Sequence, residues 1–178
     1  MSPAMQPLAA TRQVGCMGLQ ISGELTPVNA PVRTDAEPHL EDFPYRLADN
    51  VRFADLDPNG HVNNATYASY FETGRVTLMK DRSYWQLPEG LGWVMVRLDM
   101  HFRAELHWPG KIELGLGVVK FGRTSVSFDQ VVFSEGKCVA SARAITVLID
   151  DATRKPTPLT DEIKAKFKPW MRRGFDGS

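Results

Sequence analysis

The stretch VRFADLDPNGHVNNATYASYFETGR, Val51 to Arg75, changes its periodicity twice. In FPYRLADNVRFAD (residues 43–55), Tyr45, Leu47, Val51 and Phe53 sit on odd positions among polar neighbours, the pattern of a strand. Further on, Ala68, Phe71, Arg75, Leu78 and Met79 fall at helical spacing, with Tyr67 and Tyr70 flanking the same stripe. Between them lies DLDPNGHVNN (Asp55–Asn64), with two acids, three asparagines and a histidine, and almost nothing apolar. The spacing predicts strand, polar loop and long helix. Asn63 or Asn64 is the expected N-cap, because an Asn side chain accepts an orphan backbone N–H there. Gly74 inside the helix costs ~1 kcal/mol against Ala. Close approach to a sheet and a tolerated surface position account for it equally well.

Working outward, the second half is β by pattern. In WVMVRLDMHFRAEL (93–106), Val94, Val96, Leu98, Met100 and Phe102 alternate with polar Arg97, Asp99, His101 and Arg103, which predicts one regular strand. A turn at Pro109-Gly110 leads to Ile112, Leu114, Leu116 and Val118. KFGRTS (120–125) turns into Val126, Phe128, Val132 and Phe133, and SEGK (134–137) turns into CVASARAITVLI. LTDEIKAKFKPW (159–170) has an acidic first turn, later lysines and a Pro stop, and reads as a short closing helix. The order is one strand, a long helix and four antiparallel strands, an α+β plan with the helix against a strongly curved sheet. One sheet face covers the helix. The other carries Val119, Val131, Phe133, Val139, Ile145, Val147 and Ile149, too apolar to be left wet, so dimerisation or higher assembly is expected.

The 178 residues suit one domain: a weakly structured extension over 1–40, the folded part over 41–170 and a short tail over 171–178. Twenty-one basic and 21 acidic side chains balance, which argues against a nucleic-acid binder. Cys16 and Cys138 form no C-x-x-C, and His39, His61, His101 and His107 show no zinc spacing with them, so no metal is expected. Reduced thiols and a cytoplasmic setting are the default expectation. No apolar run approaches the ~18 residues of a membrane span. The first residues lack the basic start and apolar stretch of a secretory signal.

Three uses fit Asp55–Asn64. As a cation loop, Asp55, Asp57, Asn59 and Gly60 match the early positions of an EF-hand, but Thr66 stands where a bidentate Glu is needed. As a plain turn, its residue types are ordinary, yet a turn need not run straight into an apolar helix. As an active site, the loop sets the positive N-terminus of a helix beside Asp57. A carbonyl reaching the N–H of Asn64 would be polarised there. Asp57 would activate water or attack the carbonyl carbon itself, with His61 and Asn59 orienting water, substrate or carboxylate. That pairing suits hydrolysis of an activated acyl group and needs neither metal nor organic cofactor. Asp55 is the acid expected to matter less.

These residues resemble the signature of hotdog-fold acyl-thioesterases, the 4-hydroxybenzoyl-CoA thioesterase-like superfamily. DPNGHVNN is also similar to the Asp-x-Asn-x-His motif of plant acyl-ACP thioesterases. The resemblance implies a hotdog fold, a long central helix wrapped by a curved antiparallel sheet of about five strands. It implies hydrolysis of acyl-CoA, or alternatively acyl-ACP, with Asp57 as catalytic carboxylate and the Asn64 amide on the thioester oxygen. In the plant-like pattern Asn59 and His61 join them. It also implies homodimers formed edge to edge, with sites between subunits, that often pair into homotetramers. A non-catalytic acyl-binding hotdog is the alternative from another class.

Other candidates are secondary. Glu72 in the helix is the alternative carboxylate, since another hotdog branch uses a helical Glu; a structural pairing with Arg75 at i+3 is the simpler reading. Lys120, Arg123, Thr124 and Ser125 at a hairpin turn suit the phosphates of CoA, Arg123 best. An exposed charged turn explains them as well. Trp85 and Trp93 bracket a loop that either walls an acyl pocket or packs in the core.

Overall fold

The computed structural model describes residues 37–81 and 86–174, so Cys16 and Trp85 lie outside the described residues. Strand β1 (Tyr45–Val51) is followed by helix α1 (Asn64–Lys80), then β2 (Leu91–Phe102), β3 (Gly110–Phe121), β4 (Ser125–Ser134), β5 (Lys137–Asp150) and helix α2 (Asp161–Phe167). The strands form one antiparallel sheet in the order β1-β3-β4-β5-β2. The chain therefore crosses from one sheet edge to the other through α1, and the sheet wraps that helix. This is the α+β hotdog plan.

Helix α1 starts where the polar loop ends because Asn63 caps it, its Oδ1 accepting from the amide of Ala65 at 2.9 Å. Tyr67, Tyr70, Phe71, Gly74, Arg75, Leu78 and Met79 are its buried residues. They recur at three- and four-residue steps, so one stripe meets the sheet and the tyrosines lie in it rather than beside it. Ile112, Leu114, Leu116 and Val118 of β3 face this stripe and are each at most 4% exposed. At the far end, Phe167 of α2 packs edge-on against Trp93 and Phe128.

Strand β2 departs from the regular alternation expected. Met95 pairs with Thr146 and Arg97 with Ile145, so Val96 has no ladder partner. This bulge shifts the side-chain phase by one. Leu91 and Trp93 pack on the core before it, Leu98 and Met100 after it, while Val96 is 59% exposed. Val139 is bulged out of the β4–β5 ladder in the same way and joins the core under α1, not the second face where alternation put it.

The second face is partly covered from within the chain. Phe43, after a 3-10 turn at Leu40–Asp42, packs with Val131, Phe133 and Cys138. Gly115 makes room for it, since a Cβ there would meet Val131 at 2.7 Å and Phe43 at 3.0 Å. Of the residues read from sequence as the start of a tail, Met171 and Arg172 pair with β3 and the Arg173 amide donates to the Asp42 carbonyl. Met171 forms a parallel bridge to Val118, just beyond the Leu116 partner of Tyr45 at the start of β1, and the amide of Arg172 donates to the Val118 carbonyl. Arg143 and Arg172 both hold the buried carboxylate of Asp129.

Candidate active site

Between β1 and α1, a 3-10 turn at Phe53–Asp55 leads into the polar loop. Asp57 folds the loop on itself, its Oδ1 accepting the amides of Asn59 at 2.8 Å and His61 at 3.2 Å. Its own amide donates to the His61 carbonyl at 2.8 Å. Desolvation raises the Asp57 pKa more than any one partner lowers it, but these amides, the His61 ring and the Asn59 side chain together hold it below its ordinary value of 3.8. Asp57 is therefore a fixed anion at neutral pH. Strand β1, not a helix, precedes the loop, and Thr66 at its twelfth position gives its hydroxyl to the Asp55 carbonyl, so the loop has neither the helix–loop–helix frame nor the bidentate Glu of an EF-hand.

Asp55 pins the loop to α1. Its Oδ2 accepts the Tyr70 hydroxyl at 2.6 Å and the Arg52 amide at 2.7 Å. Its carbonyl accepts the amide of Asn63 at 2.8 Å. Burial and then the Asp55 carboxylate push the Tyr70 pKa up, so Tyr70 stays a donor. Asp55, set aside in the sequence reading, thus fixes how the loop enters the helix. Its partner lies fifteen residues away, a tertiary contact that no local pattern reports.

At the helix start, Ala65 gives its amide to the Asn63 side chain and Thr66 gives its amide to the Asn63 carbonyl. The first-turn amide of Asn64 has no partner among the described residues. Asn64 lines a pocket of about 380 Å³ with Asp57, His61, Val62, Tyr67, Phe102 and Ala104–Leu106. The structure thus brings Asp57, His61 and Asn64 together. Asn59 is exposed and reaches the site through its contacts with Asp57.

The remaining candidates lie elsewhere. Glu72 is exposed on α1, and among the described residues no salt bridge joins it to Arg75. Arg75 instead turns inward, donating to Gln130 Oε1 at 2.7 Å, while Gln130 Nε2 donates to the Phe71 carbonyl at 2.7 Å. Burial lowers the Arg75 pKa and Glu72 partly restores it. Lys120, Arg123, Thr124 and Ser125 stand at the β3–β4 turn. Gly110 at the start of β3 pairs with Val51 beside the loop, and Phe121 ends the strand, so the turn lies roughly 35 Å away along β3. Trp93, Leu87 and Met79 line a separate pocket of about 630 Å³ at the C-terminal end of α1. Sequence reasoning passed over Tyr67 as a pocket wall, and with it Phe102 and Glu105. The R-A-E-L segment after β2 was the available signal, being polar where the strand pattern stops.

A protein-family model described as the thioesterase-like superfamily matches residues 51–167. The crystal structure of the PA5185 protein of Pseudomonas aeruginosa is similar over 77% of this chain and 98% of its own, with 25% identity and a TM-score of 0.70. A Thermus thermophilus thioesterase, crystallised with coenzyme A and zinc, is 27% identical over 72% of this chain and 94% of its own, with a TM-score of 0.62. A thioesterase-superfamily protein from a Jannaschia species is 25% identical, covering 68% of this chain and 79% of its own at a TM-score of 0.62.

Proposed function

Because this chain belongs to the thioesterase-like superfamily, we propose that it hydrolyses acyl-CoA thioesters to the free acid and CoA in the Asp57 pocket. The observation that carries this reading is that Asp57, held anionic, and Asn64, whose amide has no partner among the described residues, line one pocket. The thioester oxygen accepts the Asn64 N–H at the positive end of α1. Asp57 takes a proton from water as the water oxygen adds to the carbonyl carbon. Collapse of the oxyanion breaks the C–S bond, and the thiolate takes the proton back from Asp57. A covalent route through attack by the carboxylate itself uses the same two groups. His61 and Asn59 hold Asp57 in place through their amides and side chain.

Coenzyme A as carrier, in preference to an acyl carrier protein, is supported by the Thermus relative crystallised with that molecule. The Lys120–Ser125 turn is too far from Asp57 to serve its own chain's site. In a two-fold homodimer it would serve the partner's, with Arg123 on the CoA phosphates.

The test is turnover of a panel of acyl-CoA and matched acyl-ACP substrates with free-thiol detection. Asp57→Asn is expected to lose about 10²-fold or more in kcat. Near-native activity in that variant, with loss in Glu72→Gln, would overturn the assignment.

A further inference from the structure

His107 and Glu105, which hydrolysis does not use, stand beside His61. The two histidines face each other across an antiparallel bridge, tied by the Val62 amide donating to the Leu106 carbonyl at 2.8 Å. Their rings meet edge to face with centroids 4.9 Å apart. Glu105 Oε2 lies 3.7 Å from His61 Nε2 and 3.6 Å from His107 Nε2. One donor atom from each of the three residues falls within 4.8 Å of the others.

The Gly60 carbonyl lies 3.3 Å from His107 Nδ1 and can only accept. Nδ1 is therefore the donor to Gly60, and Nε2 is the ring atom that faces Glu105. A cation between Nε2 and the carboxylate would be met by both groups at once. An orienting carbonyl behind a histidine is also the arrangement that prepares the ring as a metal ligand. With bonds of 2.0–2.1 Å, tetrahedral ligands stand about 3.3 Å apart, so the two His–Glu separations need only small rotations to close on an ion. The side chains are half to two-thirds exposed at Glu105 and His107, and free to make them.

We propose that His61, Glu105 and His107 form a site for a divalent metal ion of the zinc class at the mouth of the Asp57 pocket. Two imidazoles and one carboxylate are a borderline donor set that favours zinc over calcium or magnesium. Three protein ligands leave a fourth position open. His61 and Glu105 also line the pocket, so that position adjoins it. The spacing was hidden in the sequence because the bridge, not chain proximity, brings residue 61 to residues 105 and 107.

Binding does not rest on the thioesterase reading and is measured without substrate. The metal-stripped full chain is titrated with zinc chloride by calorimetry, and cobalt(II) is added in parallel to read the visible bands of a tetrahedral site. One equivalent per chain is expected. His107→Asn keeps a side-chain amide that can donate to Gly60 but removes Nε2, and is expected to weaken zinc about 100-fold or more. Glu105→Gln should weaken it comparably, and His101→Asn, an exposed histidine outside the cluster, should leave it unchanged. Metal-free melting temperatures of all three are expected to match the parent. Absence of binding, or binding unchanged in both His107→Asn and Glu105→Gln, overturns the proposal.

Discussion

Proline is accepted at the first position of a helix, where it sacrifices no intrahelical hydrogen bond. Asn64 holds that position in α1, and Asn63 before it has φ −58° and ψ 136°, a conformation that a following proline favours. Asn64→Pro would therefore delete its backbone N–H together with the side-chain amide, and Asn64→Ala, which removes only the side chain, is its control. A kcat loss of about 10²–10³-fold with unchanged helical circular dichroism is expected, since one oxyanion donor is worth that much. Unchanged kcat would remove Asn64 from the reaction. The same loop sets an acid-side test. The Asp57 pKa lies below its unfolded 3.8, so its contribution to stability is present above about pH 4 and is lost as pH falls through the lowered value. Asp57→Asn should flatten that limb of an acid-unfolding curve. At Tyr70, removing the hydroxyl leaves Asp55 without a charge-assisted bond. Tyr70→Phe is expected to cost about 1.5–3 kcal/mol by denaturant unfolding. That role of Asp55 was illegible in the sequence, which shows an acid near a turn but not the tyrosine one helix face away.

At the scale of elements, α1 was legible because its period is local, and the stripe from Tyr67 to Met79 needs only the chain itself to be seen. Gly74 settles differently from either sequence alternative. It is buried against the sheet, yet a Cβ there would lie 3.6 Å from Gln130 Nε2, an ordinary contact. Gly74→Ala should stabilise the protein by about 0.5–1 kcal/mol in thermal or urea unfolding. A destabilisation would show that the helix needs the closer approach. Strand β2 was misread for the converse reason. Val94 and Val96 are both apolar, so the sequence pattern ran smoothly through a position that the ladder skips. A bulge is a property of two strands, and one strand's sequence does not display it.

At the scale of the molecule, the separation of the two ends of the sheet is what composition and motif could not disclose. Arg123 and Asp57 belong to opposite ends of β3, so a site that uses both requires a second copy. Strand β2 is an edge of the sheet, with Met95, Val96 and Phe102 exposed, and offers unpaired backbone for such a union. Sedimentation equilibrium should report twice 19.9 kDa or a multiple of it. Subunit mixing is the sharper measurement. If sites are shared, Asp57→Asn and Arg123→Ala chains, each impaired alone, should recover activity on acyl-CoA when mixed, because some hybrids carry one intact site. No recovery on exchange would confine each site to a single chain.

The skipped residue of β2 has a consequence for the strand's tolerance of shortening. Losing one residue from a strand ordinarily turns every later side chain to the wrong side. Here Met95 and Arg97 already pair with consecutive partners, Thr146 and Ile145. A chain lacking Val96 would keep both pairings, run Leu91, Trp93, Met95, Leu98 and Met100 in unbroken step along the inner side, and fold. Removing Leu98 instead would put Met100 out of phase with the core it now meets. Codon deletion, the harshest edit a strand normally faces, should be harmless at one position of β2 and ruinous two codons on.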